Sequence, residues 1–257
     1  MSVTRAMSGV SDEEMMRGPF CELTLWDGAG LKTLDDALIA GFALNEDEKR
    51  ALMGMAMPIV SVNASDLTYC QMSIAIDDES SEAQIVRYLA ALGHRRFCYI
   101  GRADPISGDD WGFDARPRGY QDEIAELGLQ DCGMIFIDVN DRNAIRQAVA
   151  SLVSMPDRPT AICTWADQLA LPVIHDLEAM GLRVPGDISV FGFDGSDMAA
   201  AVNLSTMAQP AREIGRMAAR HALNLVDGGT PDEATIVVPT TLEPGGTAGP
   251  ARMPDNN

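Results

Sequence analysis

The chain has 257 residues, 46% of them apolar, and a mean hydropathy near zero. That length suits one large domain or two modest ones with real cores, and the composition excludes a disordered chain. With 19 basic against 38 acidic residues the net charge is −19. Such a charge repels phosphate backbones and makes the chain by itself a poor binder of DNA.

No apolar run approaches the roughly 20 residues that cross a bilayer, so no membrane partner is expected. The first twenty residues lack the apolar core of a signal peptide, and a cytoplasmic address follows. The five cysteines, Cys21, Cys70, Cys98, Cys132 and Cys163, are scattered, odd in number and without CxxC spacing. Reduced thiols are expected rather than a disulfide or zinc framework. The sequons at Asn63 and Asn203 carry little meaning in that compartment.

In chain order, "ALIAGF" (37–42), "PIVSVN" (58–63), "FCYIGR" (97–102), "MIFIDV" (134–139), "TAICTW" (160–165) and "ISVFGFD" (188–194) read as strands. Each is apolar on both faces, as strands of a parallel sheet covered on both sides must be. Between them the helical pattern predicts helices over 46–56, 80–92, 116–127, 141–154, 167–180 and 211–226. Ser80, Ser81 and Glu82 open the second of these and Gly93 stops it. This rhythm is that of the α/β class, with a doubly wound parallel sheet. Ligands of such sheets bind beyond the carboxyl ends of the strands. Asp194, beside Gly195, ends an apolar strand there; it either caps the turn before the next helix or meets a ligand.

Several stretches, in order, resemble the LacI/GalR family of bacterial transcription regulators. "YLAALGHRRFCYIG" (88–101) is similar to that family's helix, Gly-His, basic pair and strand, and "RPRGY" (116–120) to its Arg-x-x-Gly-aromatic signature. The run 158–200, including "LRVPGDIS", is similar almost throughout. "LSTMAQPAREIGRMAARHALNLVDG" (204–228) resembles the segment that crosses between lobes with its following helix, and "VVPTTLEPGGTA" (237–248) the closing strand pair. The resemblance covers about 36–248. It implies a two-lobed periplasmic-binding-protein-like fold, crossed three times by the chain, with an effector in the cleft.

On this reading, 20–100 plus 209–228 form an N-terminal lobe, 101–208 plus 229–250 a C-terminal lobe, and 251–257 a flexible tail. "SVTRAMSGVSDEEMMR" (2–17) resembles the end of a DNA-binding headpiece, so 1–19 is expected to be a headpiece remnant without an intact helix-turn-helix. Ser11 and Glu14 form a capping box there. The first lobe is expected to be truncated, with "FCELTLW" (20–26) as a patching strand.

The resemblance carries an effector-contact role to Arg116, Asp194 and Gln209. The chemistry agrees, because planar charged groups grip vicinal hydroxyls bidentately. Arg116 otherwise starts a surface helix, and Gln209 otherwise satisfies backbone at the crossing. Asp167 stands where the family has Asn-Asp, with Ala166 in place of the Asn; it is an N-cap or a ligand contact. Asp77 ends "SIAI" (73–76) and is a cleft or turn residue, with Asp78 where the family prefers Asn. Trp111, in the loop "SGDDWGFDA", and Trp165 offer flat faces for a sugar ring or pack in the core. Gly245 stands where the family usually has Arg.

His94, His175 and His221 are separate, and no residues stand at metal-ligand spacing. His94 is expected to hydrogen-bond backbone at its own turn. No GxSxG, Walker, GxGxxG or HExxH motif is present, so no catalytic residues and no cofactor are expected. The expected function is the sugar-sensing core of a regulator, acting as a homodimer or as a dimer with a complete paralogue. DNA would be reached only through a complete headpiece. The alternatives are a free-standing small-molecule binding protein of the same fold and a degraded regulator remnant.

Overall fold

The computed structural model describes residues 38–40, 50, 53–54, 57–63, 67–103 and 115–252. The headpiece reading of 1–19, the strand 20–26, most of helix 46–56, Trp111 and residues 253–257 of the tail lie outside them. The chain divides into two compact units and changes unit at 76/77, 209/210 and 239/240.

The first unit holds a parallel sheet in the order β1-β2-β3-β9, from β1 (Leu38–Ala40), β2 (Ile59–Val62), β3 (Met72–Ala75) and β9 (Thr235–Val237). Helix α6 (Ala211–Val226) packs on β2 and β3. Its buried stripe, Ile214, Gly215, Ala218, Ala219 and Ala222, repeats at helical spacing and is mostly small, which lets the helix approach the sheet closely.

The second unit begins with α1 (Asp78–Ala91) and β4 (Arg96–Arg102). It continues through α2 (Arg116–Glu126), β5 (Gln130–Ile137), α3 (Arg142–Val153), β6 (Ala161–Thr164) and α4 (Asp167–Ala179). It ends with β7 (Ser189–Asp194), α5 (Asp197–Ala201), β8 (Ser205–Ala208) and, after the return, β10 (Thr241–Glu243). The sheet order is β10-β8-β7-β6-β4-β5, parallel except for antiparallel β10. On one face Cys98, Ile100, Ile162, Val190 and the apolar stripes of α3 and α4 form a continuous core. Tyr99 and Tyr120 meet with ring centroids 5.5 Å apart, and Tyr88 lies edge-on to Phe191 at 5.8 Å.

α1 and α2 cross tightly. A Cβ on Gly119 would sit 2.1 Å from the Glu79 carbonyl oxygen, so only glycine fits. Edge strand β5 is bulged: its register to β4 slips between Phe97 and Tyr99, and Gly133, at φ +120°, occupies the extra position.

Three expectations need correcting. Residues 77–100 belong to the second unit, because β4 pairs with β5 and β6; the chain leaves the first unit before α1, not after β4. Residues 237–248 do not form a strand pair. β9 closes the first sheet against β3, and β10 closes the second against β8. His94 hydrogen-bonds backbone, but far from its own turn: Nε2 is 3.0 Å from the Gly249 carbonyl oxygen and Nδ1 3.0 Å from the Thr160 hydroxyl.

Candidate functional site

The second sheet has a topological switch point. From β4 the chain passes through α2 to β5 on one side, then through α3 to β6 on the other. The crevice such a reversal opens lies at the carboxyl ends of the two central strands, here β4 and β6. Arg102 ends β4, Trp165 follows β6, and Arg116 and Asp167 start α2 and α4. The chemistry-bearing residues therefore collect where the topology makes a crevice.

Arg116 is only 6% exposed. Its Nε donates to Asp78 Oδ1 at 2.7 Å, and its Nη1 donates to the Trp165 carbonyl. The guanidinium carbon lies 3.7 Å from the ring centroid of Phe193 and 5.8 Å from that of Trp165. Arg102 approaches the same Trp165 ring at 5.3 Å. The half-buried tryptophan is thus held between the core and two guanidinium groups.

Asp194 ends β7 in an unusual backbone conformation, φ +116°, and Gly195 follows at φ +68°. The turn is tight: a Cβ on Gly195 would meet Ala208 at 2.5 Å. Asp194 pairs with Ala208 in the ladder, which brings the next residue, Gln209, alongside. Gln209 Nε2 donates to Asp194 Oδ1 at 2.7 Å. Burial, with Asp167 and Asp78 adding negative charge, pushes the Asp194 carboxyl up to about 6; Arg116 and the Gln209 amide pull the other way.

Asp167 is 1% exposed, and hydrogen bonds engage both its oxygens. Oδ1 accepts from the Thr206 hydroxyl at 2.6 Å, and Oδ2 from the Ser196 backbone N–H at 2.8 Å. Thr206 in turn accepts from the Gly195 N–H at 3.3 Å. The N-cap of α4 is Ala166, so Asp167 does not cap its own helix. Instead it ties the turn after Asp194 to β8. Asp77 is the N-cap of α1, accepting from the Ser80 N–H at 2.9 Å, and is exposed.

The structure brings together Arg116, Asp194, Gln209, Asp167 and Trp165. Asp77 stands at the start of α1, and its neighbour Asp78, not Asp77, reaches Arg116. Arg102, Phe193 and Thr206 escaped the sequence reading, as did the pairing of Asp78 with Arg116. Phe193 and Thr206 alternate into an apolar strand pattern that hides a polar contact. Asp78, adjoining the N-cap, was within reach of a pairing argument for the buried arginine.

Residues 86–248, more than half of the chain, match the periplasmic binding protein-like domain. The chain belongs to this family, in its LacI/GalR branch. Catabolite control protein A of Priestia megaterium is 27% identical over 86% of this chain and 67% of its own length. The arabinose metabolism transcriptional repressor of Geobacillus stearothermophilus is 27% identical over 73% of the chain and 52% of its own length. This LacI/GalR-type chain thus spans about half to two thirds of the length of those relatives. A solved LacI transcriptional regulator from a Rhodococcus species superposes with a TM-score of 0.72 at 28% identity, over 84% of this chain and 78% of that one. The α/β periplasmic-binding-protein-like fold and the LacI/GalR resemblance are therefore as the sequence reading expected. Among the described residues no helix is long and apolar enough to cross a membrane, and no three His, Cys, Asp or Glu residues group as metal ligands would.

Proposed function

We propose that this LacI/GalR-type core binds a sugar as its effector, at the carboxyl edge of the second unit's sheet. Asp194 and Gln209 would take vicinal hydroxyls, Arg116 would orient them, and Trp165 would present an apolar face to the ring. The observation that carries this reading is the gathering of Arg116, at the switch point between β4 and β6, with the Asp194–Gln209 pair at the neighbouring ends of β7 and β8. Arabinose metabolism in the name of one relative supports a sugar as the ligand class.

The chain acts by binding and not by catalysis, in the cytoplasm and as a dimer. Effector binding would favour one arrangement of the protein over another. The net charge of −19 keeps the 257-residue chain from gripping DNA unaided. Thermal-shift screening against mono- and disaccharides tests the reading, since a ligand that binds only the native state raises the melting point. Cooperative melting with no shift for any of them counts against it. A specific, salt-sensitive mobility shift by the chain alone would sink the DNA statement.

A further inference from the structure

Resting on that effector reading, we infer that the site sorts ligands by charge. It accepts an uncharged or cationic polyhydroxylated molecule and rejects the phosphorylated or carboxylated counterpart.

An anionic group needs a cation whose charge is not already met. Arg116 is the cation at the head of the crevice, and its charge is paired: Asp78 accepts from Nε at 2.7 Å, the Trp165 carbonyl accepts from Nη1, and the Phe193 ring centroid lies 3.7 Å from the guanidinium. A phosphate drawn to Arg116 would either stand beside the Asp78 carboxylate, which repels it, or displace that carboxylate at a cost. Arg102 lies 5.3 Å from the Trp165 ring centroid and is engaged within the chain as well.

The acceptors tell the opposite story. Asp167 is closed off by Thr206 and Ser196. Asp194 accepts a side-chain hydrogen bond at Oδ1 from Gln209, and its carboxylate can accept more from a ligand that donates. Among the described residues gathered here in the second unit, three carboxylates, Asp78, Asp167 and Asp194, stand against the two guanidinium groups of Arg116 and Arg102. The surplus is negative. Hydroxyl and ammonium groups donate to such a site, while phosphate and carboxylate bring only acceptors and like charge.

Matched probes on the full chain provide the test. D-ribose, D-glucose and D-galactose are titrated calorimetrically beside glucosamine, galactosamine, ribose 5-phosphate, glucose 6-phosphate and glucuronate. At physiological salt, a neutral or amino member is expected to bind at least about tenfold tighter than its anionic counterpart. Asp78→Asn should narrow that gap by freeing Arg116. For glucuronate, which keeps its single charge across the range, the gap to glucose should also narrow in the unaltered chain between pH 7.5 and 5, as Asp194 takes up its proton, which needs no folded variant. An anionic probe that binds as tightly as its neutral parent overturns the charge rule and leaves the effector reading standing. No binding by any probe to a cooperatively melting chain overturns both.

Discussion

Gln209 holds Asp194 twice: its side-chain amide donates to the carboxylate at 2.7 Å, and its backbone N–H donates to the carbonyl of the same residue at 3.0 Å. The double link fixes the carboxylate at the end of β7 through Gln209, the last residue before the chain changes unit. It also keeps a charge where burial opposes it.

The first prediction follows from that opposition. The folded carboxyl of Asp194 titrates near 6 against an ordinary 3.8, so between these values the folded chain binds more protons than the unfolded one. Stability therefore falls as pH rises through that window. Asp194→Asn keeps a Gln209 acceptor and tolerates the positive φ, so it is expected to stabilise the chain by about 1–2 kcal/mol above pH 6.5, with the gain vanishing below pH 4. Urea denaturation across pH reads this. A variant equally stable at both ends contradicts it.

His94 has the opposite sign. Burial holds its imidazole below the ordinary 6.5, so protons go to the unfolded chain first, and the stability it contributes is lost as pH falls from about 6.5. Its Nε2 contact to Gly249 ties down the segment in which Ala251 N–H donates to the Leu92 carbonyl at 2.9 Å. Burial, not the Gly249 contact, opposes the charged ring. Protection of the 245–252 amides, corrected for the slower intrinsic exchange at low pH, should therefore fall between pH 7.5 and 5.5, and His94→Gln should reduce that fall. Unaltered protection would contradict the latch.

Gly119→Ala should lower stability by about 2–3 kcal/mol, because the new methyl group meets the Glu79 carbonyl and the α1–α2 crossing must widen. Gln121→Ala, exposed on the same helix, is the control and should change little. Equal denaturation midpoints for the two variants would contradict the tight crossing.

Asp167 separates support from contact. Asp167→Ala leaves the Thr206 hydroxyl and the Ser196 N–H without their buried acceptor, a loss of about 2–4 kcal/mol. Asp167→Asn should recover part of it. For an effector found by the thermal screen, affinity measured well below each melting point is expected to change far less than stability. A tenfold affinity loss in a normally stable Asp167→Asn would place this carboxylate against the ligand instead.

Strand and helix positions in the second unit were legible because parallel strands buried on both faces stand out as short apolar runs between amphipathic stretches. Arg116 and Asp194 were legible for a related reason, since a charge abutting such a run marks a strand end or a helix start. The partners were not. Asp78 and Arg116 are 38 residues apart in sequence, and Thr206 lies 39 residues from Asp167. Pairings at that separation depend on strand order, which local pattern does not encode. The early unit boundary escaped for the same reason: α1 and β4 follow β3 without any compositional break, and only the pairing of β4 with β5 and β6 assigns them.

The slipped register of β5 bears on behaviour at high concentration. An open strand edge invites another molecule's backbone to zip onto it, but a strand bent by an extra residue offers amide groups out of step with a straight partner. The far edge of the same sheet ends in three-residue β10, too short to template a fibril. Both flanks of this unit are blunted against sheet-to-sheet clumping, so removing the bulge, for example by deleting Gly133, would be felt first as lost solubility.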